Sequence, residues 1–461
     1  MNRSKRIYTL LAVLLAVCLA TLAISFYEKK QEEITVSNAT ILSIPKEDVQ
    51  AVSWEAGESF SFTKTEAGWQ YEADTAFPVS EEKIERILKH FESFVAAFAI
   101  ENAEDRAQYG LDSPAAVVCL RTEEQEYTIR LGSYSTMDSQ RYVDVGDGCV
   151  YLVEDDPEDF LPTKLSQLIL HDEAPSMPVV NSISFAGAAE YSLCYEPENE
   201  YTYSREDVYF TEQNGQQLPL DTDAVEEYIR TIEYLDLSDY ATYTATEEEL
   251  AAFGLDTPEL TVTVEYQDEE DQEQSCTLHL GQNREEAEAA QKAEEQEKET
   301  IPAVSKYLRM GDSQIVYEIS DTEYETLSEA AYDDLRHKQV FWASFEDVTQ
   351  IDITLEDEQH TLYAGDDDTW LYKEESVEIT ELQNALTALS AKTFTREAAS
   401  QKEEIGLTLR LDQEKFPEVE IRLYRYDGTQ SLACVDGEPV SLVQRSAVMK
   451  LVEAVQSMVL N

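Results

Sequence analysis

The sequence is poor in basic residues and in the residue types that build most metal sites. Of its 461 residues, 34 are Lys or Arg and 95 are Asp or Glu, which gives a formal net charge of −61. A chain this acidic repels phosphates, so a nucleic-acid partner held by backbone contacts is excluded. The five histidines and six cysteines are not spaced as zinc or redox motifs. We therefore expect neither a metal nor a cofactor.

Glycine and proline are also scarce, with 15 and 13 residues, which excludes a collagen-like or linker-dominated chain. Hydrophobic residues make up 43% and aromatic residues 10%, so the chain has enough material for a folded core. Its length is typical of two to four domains. No GxSxG, Walker or HExxH signature occurs, and we predict that the protein is not an enzyme.

One uncharged run, at residues 7–27, is long enough to cross a bilayer. Arg3, Lys5 and Arg6 precede it, which favours a cytoplasmic N-terminus. We predict that residues 1–30 are a cytoplasmic tip and a single transmembrane anchor in the cell membrane, with the main body outside. A signal peptide cleaved near residues 21–23 is the alternative, although the apolar run is longer than such peptides need.

The stretch after the anchor contains an internal repeat. Residues 109–114 read Tyr-Gly-Leu-Asp-Ser-Pro and residues 253–258 read Phe-Gly-Leu-Asp-Thr-Pro. Each hexamer follows a predicted helix and precedes a strand-rich run that ends in Leu-Gly. In the first unit the helix begins after Ser80, a suitable N-cap. The apolar stripe assigned to it consists of Ile84, Ile87, Leu88, Phe91, Phe94, Val95 and Phe98.

A weaker third unit follows, in which only Ile405-Gly406-Leu407 remains at the expected hexamer. We predict repeat units at residues 40–165, 178–335 and 345–461. The second unit carries an acidic insertion at 282–300, read as a solvent-exposed helix or a mobile loop. The predicted fold class is α+β: a single N-terminal transmembrane helix followed by three tandem units, each a curved antiparallel sheet with a packed helix. The C-terminal helix is expected to dock on its own unit.

Two further features leave alternatives open. An extracytoplasmic location permits a disulfide between Cys119 and Cys149 without requiring one. The acidic turns at 155–159 and 366–368 do not match the calcium-binding DxDxDG loop, so solvated turns are the simpler interpretation.

The repeat resembles the bacterial family known as domain of unknown function 4340. The resemblance implies an N-terminal membrane helix, an extracytoplasmic α+β region, and association with gliding-motility-type ABC transporters, whose permease and ATPase are separate chains. It implies no catalytic residues. The residues that carry it, besides the two hexamers, are Trp69, Tyr71, Leu131, Gly132, Val150, Tyr151, Val316 and Tyr317.

We therefore expect a membrane-anchored, extracytoplasmic, non-catalytic accessory or substrate-handling subunit of an ABC-type transport system. The alternatives are a cell-envelope glycan- or peptide-binding module and a hydrolase with an unrecognised carboxylate site. We interpret the hexamers as structural, because Gly admits a positive φ, Pro directs the next strand and the aromatic ring fills a junction. The motif residues are Tyr109, Gly110, Leu111, Asp112 and Pro114 in the first unit and Phe253, Gly254, Leu255, Asp256 and Pro258 in the second.

Overall fold

A computed structural model describes residues 33–101, 103, 105–198, 200–297, 300–365 and 369–459, together with Val17 and Thr21. Within these ranges, no helix has the length and apolar character needed to cross a bilayer. The predicted anchor at residues 7–27 falls outside the described residues except for Val17 and Thr21, so it stays a prediction.

The described residues form three nine-stranded sheets. The strands of the first repeat are β1 (Glu33–Leu42), β2 (Val49–Ala56), β3 (Glu58–Thr65), β4 (Gly68–Tyr71), β5 (Phe94–Glu101), β6 (Ala116–Thr122), β7 (Glu126–Ser135), β8 (Gln140–Asp144) and β9 (Val150–Val153). Those of the second are β10 (Val179–Gly187), β11 (Tyr191–Tyr195), β12 (Tyr209–Gln213), β13 (Gln216–Pro219), β14 (Tyr240–Thr242), β15 (Leu260–Gln267), β16 (Glu273–Gln282), β17 (Lys306–Met310) and β18 (Val316–Ile319). Those of the third are β19 (Val348–Leu355), β20 (Glu358–Ala364), β21 (Trp370–Tyr372), β22 (Glu375–Val377), β23 (Ala391–Phe394), β24 (Glu403–Leu411), β25 (Glu418–Arg425), β26 (Gln430–Val435) and β27 (Glu438–Gln444).

Seven strands have the same order in all three sheets. They run β9-β8-β7-β6-β2-β3-β4 in the first, β18-β17-β16-β15-β10-β11-β12 in the second and β27-β26-β25-β24-β19-β20-β21 in the third. Neighbouring strands in these runs are antiparallel. The prediction of three tandem antiparallel units is confirmed, including the third unit, whose sequence signal is weak.

The helices are fewer and mostly short. Their bounds are α1 (Glu81–Glu92), α2 (Thr222–Glu233), α3 (Glu247–Ala252), α4 (Arg284–Glu295), α5 (Asp321–Ser328), α6 (Tyr332–Leu335), α7 (Thr380–Thr387) and α8 (Arg445–Val459). Single 3₁₀ turns occur at Lys46–Asp48, Arg106–Tyr109, Pro157–Phe160, Leu165–Leu168 and Phe345–Asp347. The chain divides into two compact units. One consists of Met1–Asp172 and Ser238–Thr244, and the other consists of Glu173–Leu237 and Ala245–Asn461.

Helix α1 begins where the sequence predicts but ends earlier. The Ser80 side chain accepts a hydrogen bond from the Lys83 backbone N–H, so Ser80 is the N-cap. The residues buried by the helix are Ile84, Ile87, Leu88 and Phe91. The prediction that Phe94, Val95 and Phe98 continue this stripe is wrong, because all three lie in β5. Apolar residues fill nearly every position of that segment, so a helical and an extended reading both fit its pattern, and pairing with β1 and β9 decides the outcome.

The third unit also differs from its prediction at one place. Ile405, Gly406 and Leu407 lie inside β24 rather than in a turn before it. Ile405 pairs with Leu423 just as Ala116 pairs with Leu131 in the first repeat. Ile405 therefore corresponds to a residue that follows the hexamer, and the third unit has no hexamer at all.

The C-terminal helix packs on the third repeat. Val448, Leu451 and Val455 of α8 are fully buried in the same core as Leu382 and Leu386 of α7. The expected docking of this helix on its own unit is confirmed.

Candidate functional site

The first hexamer packs its backbone closely against strand β7 at two glycines. Gly110 ends the 3₁₀ turn Arg106–Tyr109 with a φ of +73°, a backbone conformation that favours glycine. A Cβ on Gly110 would overlap the Ser133 side chain and lie 2.8 Å from the Ser133 backbone nitrogen. A Cβ on Gly132, in β7, would overlap the carbonyl oxygen of Tyr109. The hexamer backbone therefore crosses the strand at a distance that only glycine permits.

The second hexamer repeats this crossing. Gly254 has a φ of +72°, and a Cβ on it would lie 2.8 Å from the carbonyl oxygen of Gln282. A Cβ on Gly281 would lie 2.5 Å from the carbonyl oxygen of Phe253. Each hexamer glycine thus has a matching strand glycine, the Gly of the Leu-Gly pair that ends the strand-rich run.

The aromatic and leucine positions of the hexamers fill small cores. The Tyr109 ring lies 4.9 Å from the Tyr142 ring, and the Phe253 ring lies 4.4 Å from the Tyr307 ring, between centroids. Leu111 and Leu255 are buried in the corresponding clusters. The remaining positions lie nearer the surface: Asp112 and Asp256 are exposed, and Pro114 and Pro258 are half-buried.

In the first repeat, an arginine stabilises the point where the hexamer crosses the strand. Arg141 is only 7% exposed and donates to the Gly132 carbonyl oxygen at 2.7 Å and to Asp156 at 2.5 Å. It also pairs with Glu158. Two acids of the turn at 155–159 therefore neutralise a buried guanidinium. Sequence reasoning missed this ion pair, because its signal is a lone Arg in a strand near one of many acidic turns.

The second repeat has a groove where the first has this ion pair. The groove has a volume of about 520 Å³ and lies between the hexamer, represented by Gly254 and Thr257, and helix α4 of the insertion. Arg284, at the start of α4, donates to Asp256 and to Thr257, both at 2.5 Å. Because the Arg284–Asp256 pair is nearly half exposed, it joins the helix to the hexamer only weakly.

Helix α4 gives this groove its acidic lining. Of the two forms predicted for the insertion, a helix or a loop, the structure shows the helix, which is capped by Asn283 and has Ala293 as its buried residue. Ala287, Ala290 and Gln291 face the groove between the carboxylates Glu288 and Glu294. The groove therefore combines short side chains with negative charge. That combination suits an extended or cationic group better than an anion.

A third glutamate lines the groove and is held by a tyrosine hydroxyl. Glu259 accepts a hydrogen bond from the Tyr324 hydroxyl at 2.6 Å. Burial raises the pKa of the Tyr324 hydroxyl, and this hydrogen bond raises it further. Lys306 lies 4.6 Å from the centroid of the same ring and donates to Gln282 at 2.7 Å. Lys306 stands at the position of Arg141 in the repeat, since Tyr307 and Tyr142 are the next residues in each.

The histidines all have structural partners. Burial lowers the pKa of His90, which stacks on Phe160 with 3.5 Å between ring centroids. Burial also lowers the pKa of His279, whose ring nitrogen lies 3.1 Å from the Thr261 hydroxyl. The other contacts are His171 to the Asp172 carbonyl, His337 to Asp207 and His360 to the Tyr372 hydroxyl.

Asp207 joins the second repeat to the segment that leads into the third, and all of these residues belong to one compact unit. Its side chain is 1% exposed and accepts from Trp342 Nε1 at 3.1 Å, with His337 Nε2 at 2.8 Å. Nearby, Tyr203 is buried in the core of the third repeat, and its carbonyl oxygen accepts from Gln413 at 2.6 Å. Nothing in the sequence marks these residues, because the contacts join segments more than 100 positions apart.

The described cysteines are all free thiols. Cys119 and Cys149 are therefore not bridged in this structure. Burial raises the pKa of the Cys276 thiol to about 11. No cluster of three or more His, Cys, Asp or Glu side chains able to hold a metal is found among the described residues. The acidic turn at 366–368 lies outside them.

Comparison with known proteins places these features in a family. The model of a domain of unknown function, DUF4340, matches residues 69–174 and 212–409, which is more than half of the chain and includes both hexamers. No curated protein and no solved structure matches the chain. On this match, the chain belongs to the DUF4340 family.

Proposed function

We propose that the protein is a tethered interaction scaffold: an extracytoplasmic, non-catalytic accessory or substrate-handling subunit of an ABC-type transport system. Its partners are the permease and ATPase chains of that system. The anchor predicted at residues 7–27 holds it in the cell membrane, with the body outside.

One observation carries this proposal. The residues that recur between the first two repeats, namely the hexamers and the strand glycines, are used to close backbone crossings inside each unit. What differs between the repeats lies beside the crossing: a buried ion pair in the first and an acidic surface groove under an added helix in the second. A repeated framework with varied surfaces is typical of proteins that act by contact with partners.

The charge of the body supports the same role. Without the first 30 residues the chain has 29 basic and 94 acidic side chains. This charge keeps the body away from anionic lipid headgroups. It also favours partners with basic extracytoplasmic surfaces, since opposite charges steer association.

Co-purification from the native membrane tests the partners. The full-length tagged protein is extracted in mild detergent, and the recovered chains are identified and quantified. We expect a permease and an ATPase in fixed ratio to the protein. Their absence, under conditions that keep other transport complexes intact, would refute the transport role.

Protease treatment of intact cells tests the location. We expect added protease to digest the body while a cytoplasmic marker protein survives. If the body is digested only after the cells are opened, the predicted orientation is wrong.

The groove beside the second hexamer favours one other function, a cell-envelope module that binds a peptide or glycan. Saturable binding of envelope peptides or glycan fragments to the full-length protein, lost when Ala290→Trp fills the groove, would support it. A variant with the same change on the exposed side of α4, Glu285→Trp, is the control.

A further inference from the structure

The edges of the sheets are of two kinds. At five edges the outermost strand is short: β4, β13 and β23 have four residues each, and β14 and β22 have three each. Pro219 ends β13 and Lys392 lies in β23. Short strands, proline and lysine are the usual protection of an edge, because they limit the unpaired N–H and C=O groups open to another chain.

Strand β1 lacks this protection. It has ten residues and, among the described strands, pairs only with β5, from Glu33 opposite Glu101 to Leu42 opposite Phe94. Its sequence contains no Lys, Arg or Pro. In an antiparallel pair every second residue directs its N–H and C=O away from the partner strand. About five residues of β1 therefore present unpaired backbone groups at the free edge.

The two ends of β1 differ in regularity. The register shifts between Val36 and Ala39, where Asn38 has a φ of +42°, and shifts again between Thr40 and Leu42. Such a bulge bends a strand and interrupts its edge. Asn38, Ala39 and Thr40 are exposed, so another strand can approach this part without displacing core residues.

We propose that the free edge of β1 is a docking site for an extended segment of the membrane-embedded partner, which adds to the first sheet as a further antiparallel or parallel strand. This inference rests on the proposed function. Only residues 28–32 separate β1 from the predicted anchor, and a connection of five residues reaches at most about 17 Å. The edge therefore starts close to the bilayer, within reach of a segment that leaves the membrane beside it.

Charge decides between a different chain and a second copy. Glu33 and Glu101 are the charged residues of β1 and β5, and both are acidic. Pairing of two copies through β1 would bring two strongly acidic bodies together. A segment flanked by Lys or Arg is attracted instead. We therefore assign the edge to a basic segment of the partner permease.

Site-specific crosslinking in native membranes tests this assignment. A photoreactive amino acid replaces Thr40 in the full-length chain and, as a matched control, Ser376 at the short exposed edge β22. We expect a crosslink from position 40 to the permease and none from position 376. A crosslink from position 40 to a second copy of the chain would overturn the inference.

Proline substitution gives the second arm. Of the neighbours Ala39 and Thr40, one directs its N–H toward β5 and the other outward. We expect Ala39→Pro or Thr40→Pro, whichever lies outward, to keep hydrogen-exchange protection of β5 and to reduce permease recovery at least tenfold. Thr40→Val, which keeps the N–H, should retain full recovery.

The outcomes separate the inference from the function on which it rests. If the permease co-purifies with the unaltered protein but neither proline variant reduces its recovery and position 40 gives no crosslink, β1 is not the docking site and the transport role stands. If the permease is never recovered, both are refuted.

Discussion

The first two repeats and the third build the same seven-strand order with different chemistry at one junction. In the first two, the hexamer backbone packs closely against a strand at two glycines, one in the hexamer and one in the strand. In the third, Ile405 pairs with Leu423 as Ala116 pairs with Leu131 in the first. The residue after Leu423 therefore corresponds to the strand glycine. In the third repeat this residue is Tyr424. The third repeat has lost both glycines. Each glycine leaves room for the backbone segment that contains the other. Once one position carries a side chain, the close approach is lost, and the other position no longer requires glycine.

The comparison shows that the strand order and the close packing of the hexamer are independent features. The strand order survives in the third repeat without a hexamer, so the hexamer does not determine how the strands pair. It determines how closely the connection before the sixth strand approaches the sheet. The first and second repeats then differ from each other in what holds that connection, a buried Arg141 in one and an exposed Arg284 in the other.

The largest loss of stability is expected when the buried ion pair of the first repeat is broken. Arg141→Ala leaves Asp156 buried without its cation, and we expect β7 and β8 to lose about 3–5 kcal/mol of protection. Native-state hydrogen exchange on the full-length protein measures this loss. The matched change Arg284→Ala in the second repeat should cost less than about 1 kcal/mol, because that pair is exposed. Equal losses in the two repeats would contradict the contrast.

The hexamer glycines come next. Gly110→Val and Gly254→Val force a β-branched residue to a positive φ and into the neighbouring strand, which should cost about 3 kcal/mol. The melting temperature and hydrogen exchange of β6 or β15 measure this cost. Gly428→Val is the control, since no atom lies within 4 Å of its Cβ and its φ is not positive. A hexamer variant that keeps its melting temperature but loses partner binding would show that our structural interpretation is wrong.

The strand glycines should give a smaller effect. Gly132→Ala and Gly281→Ala push one methyl group against a backbone carbonyl, and we expect a loss of about 1–3 kcal/mol in urea unfolding. Gly406→Ala, in the third repeat, should cost less than about 1 kcal/mol. Its Cβ would meet only the end of the Glu403 side chain, at 2.8 Å, and that side chain can move. A costly Gly406→Ala would mean that the third repeat also needs a strand glycine.

The smallest effect concerns thiols of the first and second repeats. Burial raises the pKa of Cys276 to about 11, so only about one in a hundred of these thiols is ionised at pH 9. We expect alkylation of the native protein to reach the half-buried Cys119 well before Cys276. A raised thiol pKa stabilises the fold below the unfolded pKa, near 8.5–9, and this contribution is lost as pH rises toward 11. Rapid labelling of Cys276 at pH 8 would contradict its burial.

Local patterns were enough to predict the repeat and most of its elements. Ser80 with the apolar spacing from Ile84 to Phe91 specifies α1, and the Asp221 cap with Val225 and Ile229 specifies α2, because capping and amphipathic spacing act within a few turns. The same reasoning failed at Phe94–Glu101. There an almost continuous apolar run fits a helix or a strand, and only the pairing partners decide.

The hexamers illustrate the division most clearly. Their sequence identifies Gly110 and Gly254 as turn glycines. It does not reveal that the hexamers cross their strands at Gly132 and Gly281. The salt-bridged Arg141 and the buried Asp207 were likewise invisible, since their partners are brought together by strand order and by a loop entering another repeat.

By itself, the sequence determined the acidity of the chain, its threefold repetition and its family, because these depend on composition and on local spacing. Only the tertiary structure decided which edges are open and which strand glycine lies beside each hexamer, because both depend on the order in which distant strands pair. A strand pattern records which residues face a core. It carries no record of the neighbour that each strand finds.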